Sequence, residues 1–188
     1  MRSQLARGIG AVGLLACLAP VARAQKGFEL GGDAAYTHYS FNRPSGTTTD
    51  MTSLTLPISS LRIAFPTDAP FEPEISAGLV YSKTGAGNST TSFAGDVGLL
   101  MELNHELDGG WFIRPAIGWQ RGPAIGSAVS TTVSRATLGA GIGVRVGMTD
   151  RIASRFEARY TYLTEAAGTS ANAIGLLAGI SVYTQSSR

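Results

Sequence analysis

Cysteine occurs once in the chain, at Cys17, and lysine is almost absent. Cys17 lies in an N-terminal stretch with the features of a leader. The remainder therefore offers no disulfide, no thiol nucleophile and no thiolate metal site. Beyond that stretch no run of 18 consecutive apolar residues occurs, so no helix is predicted to span a membrane. Charged residues are only 15% of the chain, against roughly a quarter in ordinary soluble domains. Basic and acidic side chains nearly balance once Arg2, Arg7 and Arg23 of the leader are set aside. That balance gives no basic face for nucleic acid.

What is present begins with the leader itself. Arg2 and Arg7 make a positive n-region, Ile9 to Ala19 an apolar h-region, and Ala22-Arg23-Ala24 an A-x-A cleavage site. Residues 1–24 are expected to be a cleaved secretory signal peptide, which leaves residues 25–188 as one domain. A lipoprotein signal ending at Cys17 is the alternative, and Leu15 stands where a smaller residue is usual. Gly8-Ile-Gly-Ala-Val-Gly13 matches a dinucleotide-binding pattern, but no strand precedes it, so no cofactor is read from it.

The most regular stretch runs from Thr132 to Leu163. From Thr132 to Met148 one face is Ala136, Leu138, Ala140, Ile142, Val144, Val146; the other is Arg135, Gly139, Gly141, Gly143, Arg145, Gly147. A period of two marks a strand, because successive side chains leave opposite faces of the pleat. After a tight turn at Thr149 to Arg151 the alternation resumes. Ile152, Phe156, Ala158, Tyr160 and Tyr162 share one side, with Arg155, Glu157 and Arg159 on the other. Two antiparallel strands thus share one apolar face and one face of arginine, glutamate and glycine.

Such a sheet can close with its apolar side inward, as in a soluble lipocalin-like barrel, or outward against lipid. Three features favour the second. The polar face mixes small residues with paired charges and has almost no lysine, which suits a cramped interior. The overall charge is low. Aromatics of the apolar face sit near strand ends, where a membrane interface would hold them.

Eight strands are predicted. The first, about Phe28 to Phe41, turns Phe28, Leu30, Ala34 and Tyr36 outward and Glu29, Asp33 and Thr37 inward. In the second, about Thr52 to Phe65, Leu54, Leu56 and Ile58 differ in parity from Leu61, Ile63 and Phe65. A β-bulge near Ser59-Ser60 would restore one face and turn Arg62 inward, and Pro57 makes this the least regular strand. The third, Phe71 to Lys83, carries Glu72, Glu74 and Ser76 inward, with Ile75, Ala77, Leu79 and Tyr81 outward. The fourth, Ser92 to Asn104, carries Asp96 and Glu102 inward; the fifth, Trp111 to Arg121, carries Arg114 and Gln120. The hairpin supplies the sixth and seventh, and Ala171 to Tyr183 the eighth. Trp111 and Trp119 share a face eight residues apart, roughly 20 Å along a membrane normal for a strand tilted near 40°.

The connections alternate in length. Pro66 to Pro70, His105 to Gly110 and Thr149 to Arg151 form the tighter set. Asn42 to Asp50, Gly85 to Thr91, Pro123 to Thr131 and Thr164 to Ser170 are expected to be longer. Outer-membrane barrels have short periplasmic turns and longer external loops. Arg43 and Glu165 are among the few loop charges, and loops this short argue against a strong adhesin, which needs a larger contact area.

In segments such as Gly139-Ala-Gly-Ile-Gly-Val-Arg-Val and Arg155-Phe-Glu-Ala-Arg-Tyr-Thr-Tyr162, the chain resembles the small eight-stranded outer-membrane barrels, namely the OmpA transmembrane domain and the OmpX/Ail group. The resemblance implies an all-β, eight-stranded antiparallel up-and-down transmembrane barrel in the bacterial outer membrane. Outer-membrane lipid and lipopolysaccharide, and the barrel-assembly machinery during biogenesis, are the partners it implies, with a monomer expected. The chain departs from the usual terminal aromatic, since Thr184 to Arg188 follow Tyr183. No peptidoglycan-binding domain is expected, so an OmpA-like anchoring role is not implied.

The inward charges are Glu29, Asp33, Arg62, Glu72, Glu74, Asp96, Glu102, Arg114, Arg135, Arg145, Arg155, Glu157 and Arg159. In an eight-stranded barrel, just wide enough for side chains to fill, bidentate Arg–carboxylate pairs across the lumen would satisfy one another. A salt-bridged plug is the expectation, with a narrow pore for ions or small solutes as the alternative. His38 and Ser40 resemble the His-x-Ser pair of outer-membrane lipid A deacylases, though with no identifiable acidic partner. His105, Glu106 and Asp108 read as a solvated turn in preference to a metal site. The chain is thus expected to be a structural or surface-interaction barrel and not an enzyme, with no cofactor or metal.

Overall fold

The computed structural model of the protein describes residues 27–43, 45–46, 48–67, 69–84, 88–103, 109–123 and 132–184. The leader, the His105–Asp108 turn and the loop segments 85–87 and 124–131 lie outside the described residues, as do the side chains of Leu56, Ile58 and Tyr81.

Eight strands form a closed antiparallel barrel in which each pairs with the next and β1 pairs with β8. They are β1 (Glu29–Asn42), β2 (Thr48–Ala64), β3 (Phe71–Thr84), β4 (Asn88–Glu102), β5 (Gly109–Pro123), β6 (Thr132–Thr149), β7 (Ile152–Ala166) and β8 (Thr169–Tyr183). Closure removes the two free edges that an open sheet would present. The period-two patterning decides which way the sheet closes. Large apolar side chains are exposed around the whole circumference, among them Leu30, Leu61, Leu79, Phe93, Ile117, Leu138, Phe156 and Ile174. The largest fully buried side chains include Arg62, Arg114 and Arg155. The barrel is apolar outside and charged inside.

β2 carries the expected irregularity. Asp33 pairs with Ser60, and two residues further along β1 Ala35 pairs with Thr55. β2 therefore holds extra residues between Thr55 and Ser60. The parity change keeps Leu54 and Leu61 both outward and buries Arg62. The bulge also turns the Ser59 carbonyl toward Gly78, where a Cβ would lie 2.5 Å from that oxygen. The β2–β3 ladder runs from Ala64↔Glu74 to Ser60↔Gly78 and stops there.

The expected alternation of loop lengths is corrected. Gly85 to Thr91 and Thr164 to Ser170 are not long loops, because β3 runs to Thr84 and β4 starts at Asn88, and β7 runs to Ala166 and β8 starts at Thr169. Ala167 and Gly168 make a two-residue turn with φ of 51° and 75°. Positive φ at both positions is the geometry that matches the twist of a tight hairpin. The strands reach further than the apolar alternation suggested because their last residues are polar on both faces, so the period-two signal fades before the hydrogen-bonded ladder ends. At the other end, Asp150 and Arg151 turn β6 into β7, where the Arg151 amide donates to Thr149 Oγ1 at 3.2 Å.

Candidate functional site

Parity alone places the charges inside; the stagger of the strands decides which of them meet. Glu74 on β3 is the meeting point. It contacts Arg155 Nη1 on β7 through Oε2, Arg114 Nε on β5 at 2.5 Å and Arg62 Nη1 on β2 at 3.5 Å. The Arg114 contact is a close charge pair without hydrogen-bond alignment, since neither Arg114 Nε nor Glu74 Oε1 has a hydrogen-bond partner. Arg114 Nη2 also pairs with Asp96 on β4. Arg159 Nη1 lies 3.7 Å from the same Asp96, while its Nε donates to Glu157 Oε1 at 2.6 Å. Glu157 Oε2 accepts from Arg155 Nη2 at 2.6 Å. The six residues Glu74, Arg114, Asp96, Arg159, Glu157 and Arg155 thus form a closed ring of alternating charge.

A branch leads from the ring toward the end of the barrel where β8 finishes. Arg62 donates from Nε to Asp33 at 2.7 Å, from Nη1 to Glu29 at 2.9 Å and from Nη2 to Ser181 Oγ at 3.2 Å. Glu29 then accepts from Arg145 at 3.0 Å, and Arg145 also reaches Glu72 at 3.2 Å and Glu102 at 3.3 Å. With Ser181 supplied by β8, every strand contributes to one connected assembly. Seven carboxylates face five linked arginines, a formal excess of two negative charges.

Two aromatic rings and several glycines shape the assembly. The Arg155 guanidinium lies 4.6 Å from the Phe112 ring centroid, and Arg145 lies 5.9 Å from that of Tyr183. The aromatic that ends β8 therefore faces the lumen. Arg62 lies over Gly31 and Arg114 over Gly98; a Cβ at either glycine would sit 2.6 Å from the guanidinium carbon. Only the missing side chain lets the plane of the arginine approach the strand.

The structure differs from the sequence reading in how the ions pair. Bidentate pairs, each arginine forked on one carboxylate, were expected. Instead each guanidinium divides its nitrogens among carboxylates of different strands, because acids outnumber the arginines they surround. Arg135 is buried on β6 but takes no part in the assembly; among the described residues it forms no ion pair, and its Nη1 has no hydrogen-bond partner. Phe112 and Leu100 are also inward and buried, apolar side chains at positions where the alternation predicts polar ones. Beyond the ring, Phe41, Leu163, Ala171 and Ala173 form an inward apolar cluster with Tyr39 packed against it. His38 is exposed on the outer face with Nδ1 3.2 Å from Thr52 Oγ1, and Ser40 pairs across the ladder with Asp50. The histidine is engaged by the threonine and not by the serine.

A closed eight-stranded antiparallel barrel, apolar outside and ion-paired inside, has the fold of the small outer-membrane barrels. Solved structures agree on that fold. Neisserial surface protein A superposes with a TM-score of 0.62 at 13% identity, over 83% of this chain and 96% of that one. Outer-membrane protein AlkL, whose structure was determined in lipid bilayers, superposes with a TM-score of 0.55 at 12% identity, over 85% of this chain and 91% of that one. No protein-family model and no curated protein matches the sequence.

Proposed function

We propose that the protein is an integral barrel of the bacterial outer membrane whose lumen is held shut by its ion-pair network. On this reading it serves the envelope as a scaffold that displays its loops. The observation that carries the reading is the assembly to which all eight strands contribute, with Glu29, Glu74, Arg62, Arg114 and Arg155 almost wholly buried. The interior of an eight-stranded barrel is just wide enough for side chains to fill, which supports reading these packed ions as a plug. The exposed apolar girdle supports the membrane placement, and the likeness to outer-membrane proteins supports the compartment.

One observation favours a second reading, a narrow gated pore. Arg159 and Asp96 are the loosest pair of the ring, at 3.7 Å with side chains 17% and 21% exposed. Single-channel recording of the refolded chain in a planar bilayer, beside Arg159→Ala, separates the two. Silence from verified folded wild type is the expected result. Discrete wild-type conductance that changes with Arg159→Ala would replace the scaffold with the pore.

A further inference from the structure

Above the ion ring the lumen opens into a chamber of about 180 Å³. At about 30 Å³ per molecule, that is the volume of about six waters. Asp96 and Arg159 border it on the ring side, and Tyr39, Leu163 and Ala173 on the other. Between them the walls carry Thr37, Ser53, Gln120, Thr137 and Thr161, none of which forms a side-chain hydrogen bond with another described residue. Unengaged hydroxyls and an amide, each able to donate and accept, therefore line one space. The two charges that line the chamber are already paired. Asp96 is held by Arg114 and by Ser76 Oγ at 2.6 Å, and Arg159 by Glu157.

We infer that this chamber is a binding site for a small, uncharged, polyhydroxylated solute on the scale of a polyol or a monosaccharide. Ligand hydroxyls match the wall because both partners donate and accept. An organic anion is disfavoured because the neighbouring network carries an excess of carboxylates and neither Asp96 nor Arg159 is free to serve as a dedicated counter-ion. Arg135, cross-strand from Gln120 and without an ion pair among the described residues, is not part of the lining. The chamber is too small for a drug-sized ligand, whose pockets run to several hundred Å³. Ser59, Ser60 and Gly78 line the chamber where the β2–β3 ladder stops, while β3 and β4 remain paired out to Thr84↔Asn88.

The test is a titration of the membrane-purified protein in detergent micelles, followed by amide NMR shifts. Glycerol and glucose are the probes, with gluconate and glucosamine as charged comparators. Saturable shifts centred on Thr37, Thr137 and Thr161 are expected with glycerol or glucose, and weaker binding with gluconate. Thr37→Val with Thr161→Val keeps side-chain shape and removes two hydroxyls, and is expected to weaken binding roughly tenfold or more. Ala94→Phe, which fills the chamber from β4, is expected to abolish it and serves alone if the double variant does not fold. Absence of saturable shifts with both neutral probes would overturn the inference. So would gluconate binding as tightly as glucose, or affinity unchanged in whichever variants fold.

Discussion

Arg155 and Glu74 touch across the lumen, and replacing each in turn tests whether carboxylates are truly in excess there. Arg155 is 1% exposed, contacts Glu74 and Glu157, and lies against the Phe112 ring. Arg155→Met keeps an unbranched side chain but leaves seven carboxylates facing four guanidiniums, with Glu74 and Glu157 each short of a partner. Removing one member of a buried pair costs about 3–5 kcal/mol, and the excess of acids places this variant in that range. Glu74→Gln works in the opposite direction. It removes one of the surplus charges and keeps an acceptor oxygen, and its three arginines retain Glu29 and Asp33, Asp96, or Glu157. The loss is then that of a hydrogen bond to a charged group, about 1.5–3 kcal/mol. Equilibrium urea unfolding in lipid vesicles, followed by emission from the outward Trp111 and Trp119, measures both. Arg155→Met must be the more costly change. Equal costs, or a costlier Glu74→Gln, would refute the charge accounting.

The remaining substitutions probe the facing and the packing. Leu138→Arg and Ile142→Arg put a charge on the exposed apolar belt and are expected to cost about 2–4 kcal/mol near the bilayer midplane, read as loss of vesicle insertion. Gly141→Arg is expected to fail for a different reason, since a Cβ there would already meet the Glu157 carboxyl carbon at 2.8 Å; equal tolerance of all three would contradict the assigned faces. Gly98→Ala forces a methyl group under the Arg114 guanidinium and is expected to destabilise by about 1–3 kcal/mol, the usual cost of overpacking. Urea midpoints indistinguishable from wild type would show that Arg114 can yield.

Much of this architecture is legible in the residues. The uninterrupted alternation of β6 and β7 gives strand, facing and hairpin together, and the parity change between Leu54 and Leu61 anticipates the bulge that buries Arg62. Ladder ends are less legible, because a strand that is polar on both faces, as at Thr164-Glu165 and Thr169-Ser170, looks like a loop. Phe112 and Leu100 were hidden for the converse reason: an inward apolar residue in a barrel of inward charges breaks the pattern it is read against. Least visible are the partners within the network. Parity says that Glu74 and Arg155 both point inward, but the level at which each enters the lumen depends on the shear and tilt of the closed sheet. Those are properties of eight strands at once, and no single segment encodes them.

The ring has a mechanical consequence that a set of separate ion pairs would lack. Removing Arg114 leaves Asp96 held by Arg159, which Glu157 still anchors; removing Glu157 leaves Arg159 held by Asp96, which Arg114 still anchors. Each single change turns the ring into an open chain that remains connected. Removing both leaves Asp96 and Arg159 with only their 3.7 Å contact to each other as an ion pair. One acid and one base are lost together, so the formal excess of negative charge is the same as in wild type and connectivity is what changes. Arg114→Met and Glu157→Gln are therefore expected to be more than additive, with the double variant losing about 0.5–3 kcal/mol beyond the sum of the singles, the range seen for residues in one network. Urea unfolding of the four proteins in vesicles completes the cycle. Additive costs would mean that the six residues act as independent pairs, and a plug of independent pairs is one that a single substitution can open.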